Sequence, residues 1–66
     1  MTTADIATAA ETAVRADHRA GMLPTAIDRY EAAQTELLVR AEDQGLNLTP
    51  LVLKDIASKV AHRAVT

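Results

Sequence analysis

Two helix-ending signals, near residues 21 and 45, set the limits within which this 66-residue chain can fold. Gly21 and Gly45 are its only glycines, and each is soon followed by a proline, Pro24 and Pro50. Glycine readily adopts the left-handed conformation that ends a helix, and proline is favoured at the first position of the next helix. The chain is therefore divided into three helical segments.

The sequence predicts one domain over residues 1–66, with helices over about residues 4–20, 24–43 and 50–65. Thr3 and Thr49 are the predicted caps of the first and third helices, and Pro24 is the predicted first residue of the second. Thr8 and Glu11 form an alternative capping box for the first helix. No strand-like alternation of apolar and polar residues occurs. The predicted fold class is all-α, a three-helix up-down-up antiparallel bundle.

Apolar residues at spacings of three and four mark one face of each predicted helix. Ala26, Tyr30 and Ala33 alternate small, large and small, a pattern that suits two closely approaching helix backbones. We expect Tyr30, the only aromatic residue, to be largely buried between the first two helices, facing Ala13 or Val14. The other predicted core residues are Ile6, Ala9, Ala10, Ala13, Val14, Ala16 or Asp17, Ala20, Ile27 (as an alternative to Ala26), Leu37 or Leu38, Ala41, Leu53, Ile56 or Ala57, Val60 and Ala64.

The composition argues against several classes of protein. The net charge is −2 with both signs mixed, so the sequence has no basic face of the kind that binds nucleic acid. No apolar run approaches the ~20 residues of a membrane span, and the N-terminus lacks the pattern of a signal peptide. The absence of cysteine excludes disulfides and zinc–thiolate sites. We expect a cytoplasmic domain without a membrane span or a nucleic-acid partner.

The few candidate catalytic residues lack the partners that catalysis needs. His18 and His62 fall near helix ends that share one pole of the predicted bundle, so the two side chains could meet. A helix C-terminus also favours a solvated cationic histidine, and no further metal ligands stand at suitable spacing. Ser58 has no nearby base, and nothing predicts the carboxylate burial that raises a catalytic pKa. The prediction is no enzyme activity, no catalytic residue, no metal site and no cofactor.

The first two predicted helices carry a family resemblance. Its residues are Ala13-Val14-Arg15-Ala16-Asp17, Ala20-Gly21, Ala26-Ile27, Tyr30, Ala33 and Leu37-Leu38. This run, within residues 10–38, resembles the MIT (microtubule-interacting and trafficking) domain. The resemblance implies a three-helix bundle that binds a short helical or extended tail motif in a groove beside its third helix. The spacing also resembles a tetratricopeptide hairpin, although the chain shows no repeat of about 34 residues.

The predicted function is a non-catalytic protein–protein interaction module that binds a partner helix or tail segment along the third helix. Val39 and Leu51 are the bulky apolar residues that the core pattern explains least. The predicted partner-binding residues are Val39, Leu51, Asp55, Ser58 and His62. One alternative is a small self-associating, homodimeric phage or bacterial accessory or regulatory protein. A DNA-binding regulator with a recognition helix over residues 49–63 ranks last, because that segment carries few basic residues.

Overall fold

The computed structural model describes residues 2–66, which form three α-helices joined by two short loops. Helix α1 spans Thr3–Arg19, α2 spans Ala26–Asp43 and α3 spans Pro50–Arg63. Each helix packs against both of the others, and residues 2–66 contain no β-strand. The radius of gyration is 10.8 Å, close to the ~11 Å expected for a compact chain of this length. The predicted all-α three-helix up-down-up bundle is confirmed.

Helix α1 begins one residue earlier than predicted, at Thr3, and its cap is Thr2. The Thr2 hydroxyl accepts a hydrogen bond from the Asp5 N–H (3.2 Å), and the Asp5 carboxylate accepts one from the Thr2 N–H (2.9 Å). These bonds lower the pKa of Asp5 below its usual range. Thr3, the predicted cap, is the first helical residue. The alternative cap at Thr8 is wrong, because that hydroxyl donates to the Ala4 carbonyl inside the helix.

Helix α2 begins later than predicted. Thr25 caps it and forms a second capping box with Asp28, in which the two hydrogen bonds measure 3.1 and 3.3 Å. Pro24 therefore lies outside the helix, and its predicted place at the first helical position is wrong. For α3 the predicted start is confirmed, with Thr49 as the cap and Pro50 as the first residue.

The two glycines end α1 and α2 as predicted. Gly21 and Gly45 have positive φ angles of 77° and 68°. After Gly45 the chain turns back, and the Leu46 N–H donates to the Ala41 carbonyl at 2.8 Å. This bond satisfies a carbonyl that would otherwise lack a partner at the helix end. It also holds Leu46 partly buried against the core.

Replacing Gly45 with alanine should lower the free energy of unfolding by about 1 kcal/mol, as measured by urea denaturation. A Cβ atom at this position would meet nothing within 4 Å, so the cost comes from the positive φ angle alone. Asn47→Ala, an exposed change in the same loop, should alter stability by less than ~0.5 kcal/mol. Equal stability of the two variants would contradict the left-handed helix end.

The core is built largely from small side chains. Five of its ten buried residues are alanines, and within residues 2–66 no polar or charged residue is buried. The helices can therefore approach closely, but each residue contributes less burial energy than leucine would. The buried residues are Ile6, Ala10, Val14, Ala33, Leu37, Ala41, Leu53, Ala57, Val60 and Ala64.

Some predicted core positions are wrong, and most of these lie near the ends of helices. Ala16 and Ala20 at the end of α1, and Ala26 and Ile27 at the start of α2, are exposed. They lie beyond the last buried residue of α1 and before the first of α2, where less of the neighbouring helices covers them. Where the sequence left two choices, Leu37 and Ala57 are the buried residues, whereas Leu38 is exposed and Ile56 is partly buried. Three other predicted core residues on α1 are only partly buried. They are Ala9, Ala13 and Asp17, the last being the alternative to Ala16.

Candidate partner-binding cleft

An open cleft lies between the first two turns of α2 and the C-terminal part of α3. Its volume is about 370 Å³, and five of its eight lining residues are apolar. None of the eight is acidic. The lining consists of Ala26, Ile27, Arg29 and Tyr30 from α2, with Ser58, Ala61, His62 and Val65 from α3 and the residues just after it. We call this surface the α2–α3 cleft.

Tyr30 lies in the α2–α3 cleft and is only partly buried. Tyr30 is therefore less buried than expected, and its accessible side borders α3. The expectation that it faces Ala13 or Val14 stays a prediction. Ala33 is the first fully buried residue of α2, and Tyr30 lies one turn nearer the helix start, on the wall that faces α3. The Gln34 side-chain amide donates to the tyrosine hydroxyl at 3.3 Å. The ring thus packs partly against the core and remains partly accessible from the cleft.

Arg29 is the only permanently charged residue of the cleft. Its guanidinium donates to the Leu23 carbonyl at 3.2 Å and so ties the loop before α2 to the helix. Across the cleft, Ser58 and His62 are exposed on α3. A ligand would therefore meet apolar side chains together with hydroxyl, imidazole and guanidinium groups.

The structure places the five predicted partner-binding residues on more than one surface. Leu51, Asp55, Ser58 and His62 follow each other at steps of four, three and four, so they share the outer face of α3. All four are exposed, and Asp55 pairs with Lys59 at 3.0 Å. Only Ser58 and His62 also line the α2–α3 cleft. Leu51 and Asp55 lie nearer the start of α3.

Val39 is separate from the cleft. It is 57% exposed and lies midway between the buried residues Leu37 and Ala41, so it is on the face of α2 that points away from the core. The predicted grouping of Val39 with the α3 residues therefore lacks support from the cleft geometry. A partner-binding role for these residues stays a prediction.

Sequence reasoning missed Ile27 and Val65 as candidate binding residues. They are 68% and 41% exposed, and they lie on opposite sides of the cleft. The spacing offered one partial signal, because a helix continued past Arg63 would place Val65, seven residues after Ser58, on nearly the same side. No local pattern indicates that this side meets the start of α2.

The two histidines do not share the cleft. His62 lines it, whereas His18 is partly buried on α1 and is not among its lining residues. Residues 2–66 contain no group of three or more histidine, cysteine or acidic side chains that could hold a metal ion. In the same part of the chain, no helix has both the length and the apolar character needed to cross a membrane.

Comparison of the chain with family models, with curated proteins and with solved structures finds no match. The resemblance of residues 10–38 to the MIT domain accordingly stays a prediction. Support for a binding site therefore comes from the geometry of the cleft.

Proposed function

We propose that this domain is a non-catalytic protein-interaction module whose α2–α3 cleft binds an amphipathic helix or tail segment of a partner protein. The exposed apolar side chains in the cleft carry this proposal, above all Ile27 at 68% exposure beside the accessible edge of Tyr30. Covering such surface is favourable by about 25 cal/mol per Å². The resemblance to the MIT domain, whose members bind segments beside the third helix, supports the same role.

The dimensions of the cleft limit the segment that it can hold. From Ser58 to Val65 the α3 side runs for about two helical turns, or roughly 10 Å. A bound segment would place two or three bulky apolar residues against Ile27, Tyr30 and Val65. Because Arg29 is the only permanent charge in the lining, a carboxylate beside those residues would complement the cleft. The proposal includes no catalytic step and no cofactor, and it assumes a cytoplasmic domain.

A displayed library of amphipathic helical peptides tests the proposal before any natural partner is identified. The library is selected on the wild-type domain after depletion on the Ile27→Asp variant. We expect enriched peptides with apolar residues spaced three or four apart and at least one acidic neighbour. If no enriched peptide distinguishes the two proteins, the cleft is not a binding site of this kind.

Ile27→Asp should weaken the binding of selected peptides at least about tenfold, because it places a charge on the apolar wall of the cleft. Since Ile27 is exposed, the melting temperature should hardly change, and stability should stay within ~0.5 kcal/mol of wild type. Val39→Asp is the matched control on the same helix, and it should bind as the wild type does. Loss of binding in Val39→Asp alone would instead support the surface predicted from the sequence.

Self-association is a second candidate function, and one observation favours it. Within residues 2–66, five large apolar residues outside the cleft are also exposed, and Leu51 at 81% is the most exposed of them. Sedimentation velocity distinguishes the two candidates. An interaction module that awaits a partner should sediment as a 7.0 kDa monomer at all concentrations. A concentration-dependent doubling of mass that Leu51→Asp abolishes would establish the homodimer.

A further inference from the structure

A cluster of three charged residues joins α1 to the end of α3, on a different side of α3 from the cleft. The Glu11 carboxylate accepts a hydrogen bond from Arg63 Nε at 2.7 Å and another from Arg15 Nη2 at 3.1 Å. The same Arg15 Nη2 also donates to the backbone carbonyl of Arg63 at 2.8 Å. We call Glu11, Arg15 and Arg63 the α1–α3 clamp.

The α1–α3 clamp holds both the side chain and the backbone of the last residue of α3. The Arg63 carbonyl also accepts hydrogen bonds from the Thr66 N–H (3.3 Å) and the Thr66 hydroxyl (3.0 Å), so Arg15 adds a third donor to it. A guanidinium at a helix C-terminus complements the negative end of the helix dipole. The hydrogen bond from Arg63 holds the pKa of Glu11 below its usual range, so the carboxylate is ionised at neutral pH. The clamp is therefore fully charged under ordinary conditions.

The clamp differs from the other charge pairs of the described chain. Within residues 2–66, the ion pairs Glu36–Arg40 and Asp55–Lys59 each lie within one helix, as does Glu11–Arg15. Among the pairs of these residues, only Glu11–Arg63 connects two helices. Exposed ion pairs within one helix contribute little to stability. An ion pair between two helices also restrains the position of one helix relative to the other.

We infer that the α1–α3 clamp is a positioning device for the α2–α3 cleft. His62 immediately precedes Arg63, and Val65 follows two residues later, so the restrained helix end carries two of the lining residues. Because the clamp holds the C-terminal end of α3 against α1, it fixes the positions of His62 and Val65 relative to α2. The effect on partner binding rests on the proposed function, but the effect on the end of α3 does not.

Amide hydrogen exchange measured by NMR tests the clamp in the isolated domain. Glu11→Gln keeps the size of the side chain but removes its charge, and Arg15→Gln removes the guanidinium donor to the Arg63 carbonyl. Each should speed exchange at the Arg63 and Ala64 amides by roughly three- to tenfold, and should change the chemical shifts of Val65. Glu36→Gln, the matched control within α2, should leave both measurements unchanged.

Two exchange results would overturn the inference. Exchange at the end of α3 could match the wild type in both clamp variants, or it could rise equally in all three helices, as a general loss of stability would cause. The affinity of the clamp variants for peptides selected on the wild-type domain is a separate measurement. Accelerated exchange with unchanged peptide affinity would refute the positioning role in binding. A failure to select any peptide would refute the proposed function, while the exchange data would still decide whether the clamp fixes the end of α3.

Discussion

Replacing Leu37 with alanine is expected to lower the free energy of unfolding by about 2–5 kcal/mol. Leu37 is fully buried and is one of the largest side chains in a core made mostly of alanine and valine. Small domains have little stability in reserve, so a loss of this size removes much of the total and leaves a large unfolded fraction. Urea denaturation followed by circular dichroism at about 222 nm measures the change.

Leu38→Ala is the matched control for this experiment. It makes the same chemical change one residue later, at a side chain that is 50% exposed, and should cost at most ~1 kcal/mol. The difference between the two variants reports which side of α2 faces the core. Similar losses in both variants, or a larger loss in Leu38→Ala, would mean that α2 is rotated about its axis so that a different face meets the core.

Enlarging Ala10 to leucine is expected to destabilise the bundle by about 1–3 kcal/mol. Ala10 has no exposed surface and lies at the centre of the buried face of α1, between Ile6 and Val14. Three extra carbon atoms would force α1 away from its neighbours or push side chains out of their preferred rotamers. Thermal unfolding monitored by circular dichroism measures the effect, which corresponds to a fall of several degrees in the midpoint.

Ala16→Leu provides the comparison on the same helix. Ala16 is exposed, and leucine has nearly the helix propensity of alanine, so stability should stay within ~0.5 kcal/mol of wild type. If Ala10→Leu proved as stable as Ala16→Leu, the helices could not be as closely packed as an alanine core requires.

The helix ends and the centre of the core could be predicted because local signals determine them. At Gly45 a positive φ angle strongly favours glycine, and the following leucine can return to the core without help from distant residues. The spacing of Leu53, Val60 and Ala64 likewise defines one face of α3. All of these features are confirmed by the structure.

The start of α2 was misplaced because two local signals competed. Pro24 is suited to a first helical position, but Thr25 followed by Asp28 forms a reciprocal capping box. The box provides two hydrogen bonds to otherwise unpaired backbone groups, whereas the proline provides none. A threonine followed three residues later by aspartate was visible in the sequence and outweighs the proline here.

The cleft could not be predicted, because it depends on how α2 and α3 are placed against each other. Tyr30 fits the periodicity of the core, yet its burial depends on what lies opposite, at the far end of α3. The predicted binding residues were chosen for being outside the core stripes, which identifies exposed side chains such as Val39 but not which of them are neighbours. Only the tertiary structure brings Ile27 and Val65 to one cleft.

Chemical-shift mapping of a selected peptide on the isotope-labelled domain tests the central claim most directly. The claim is that a partner segment binds between the start of α2 and the end of α3. We expect the largest shift changes at Ile27, Tyr30, Ala61 and Val65, with little change at Val39. Changes centred on Val39 and Leu51, with the cleft residues unaffected, would contradict the claim.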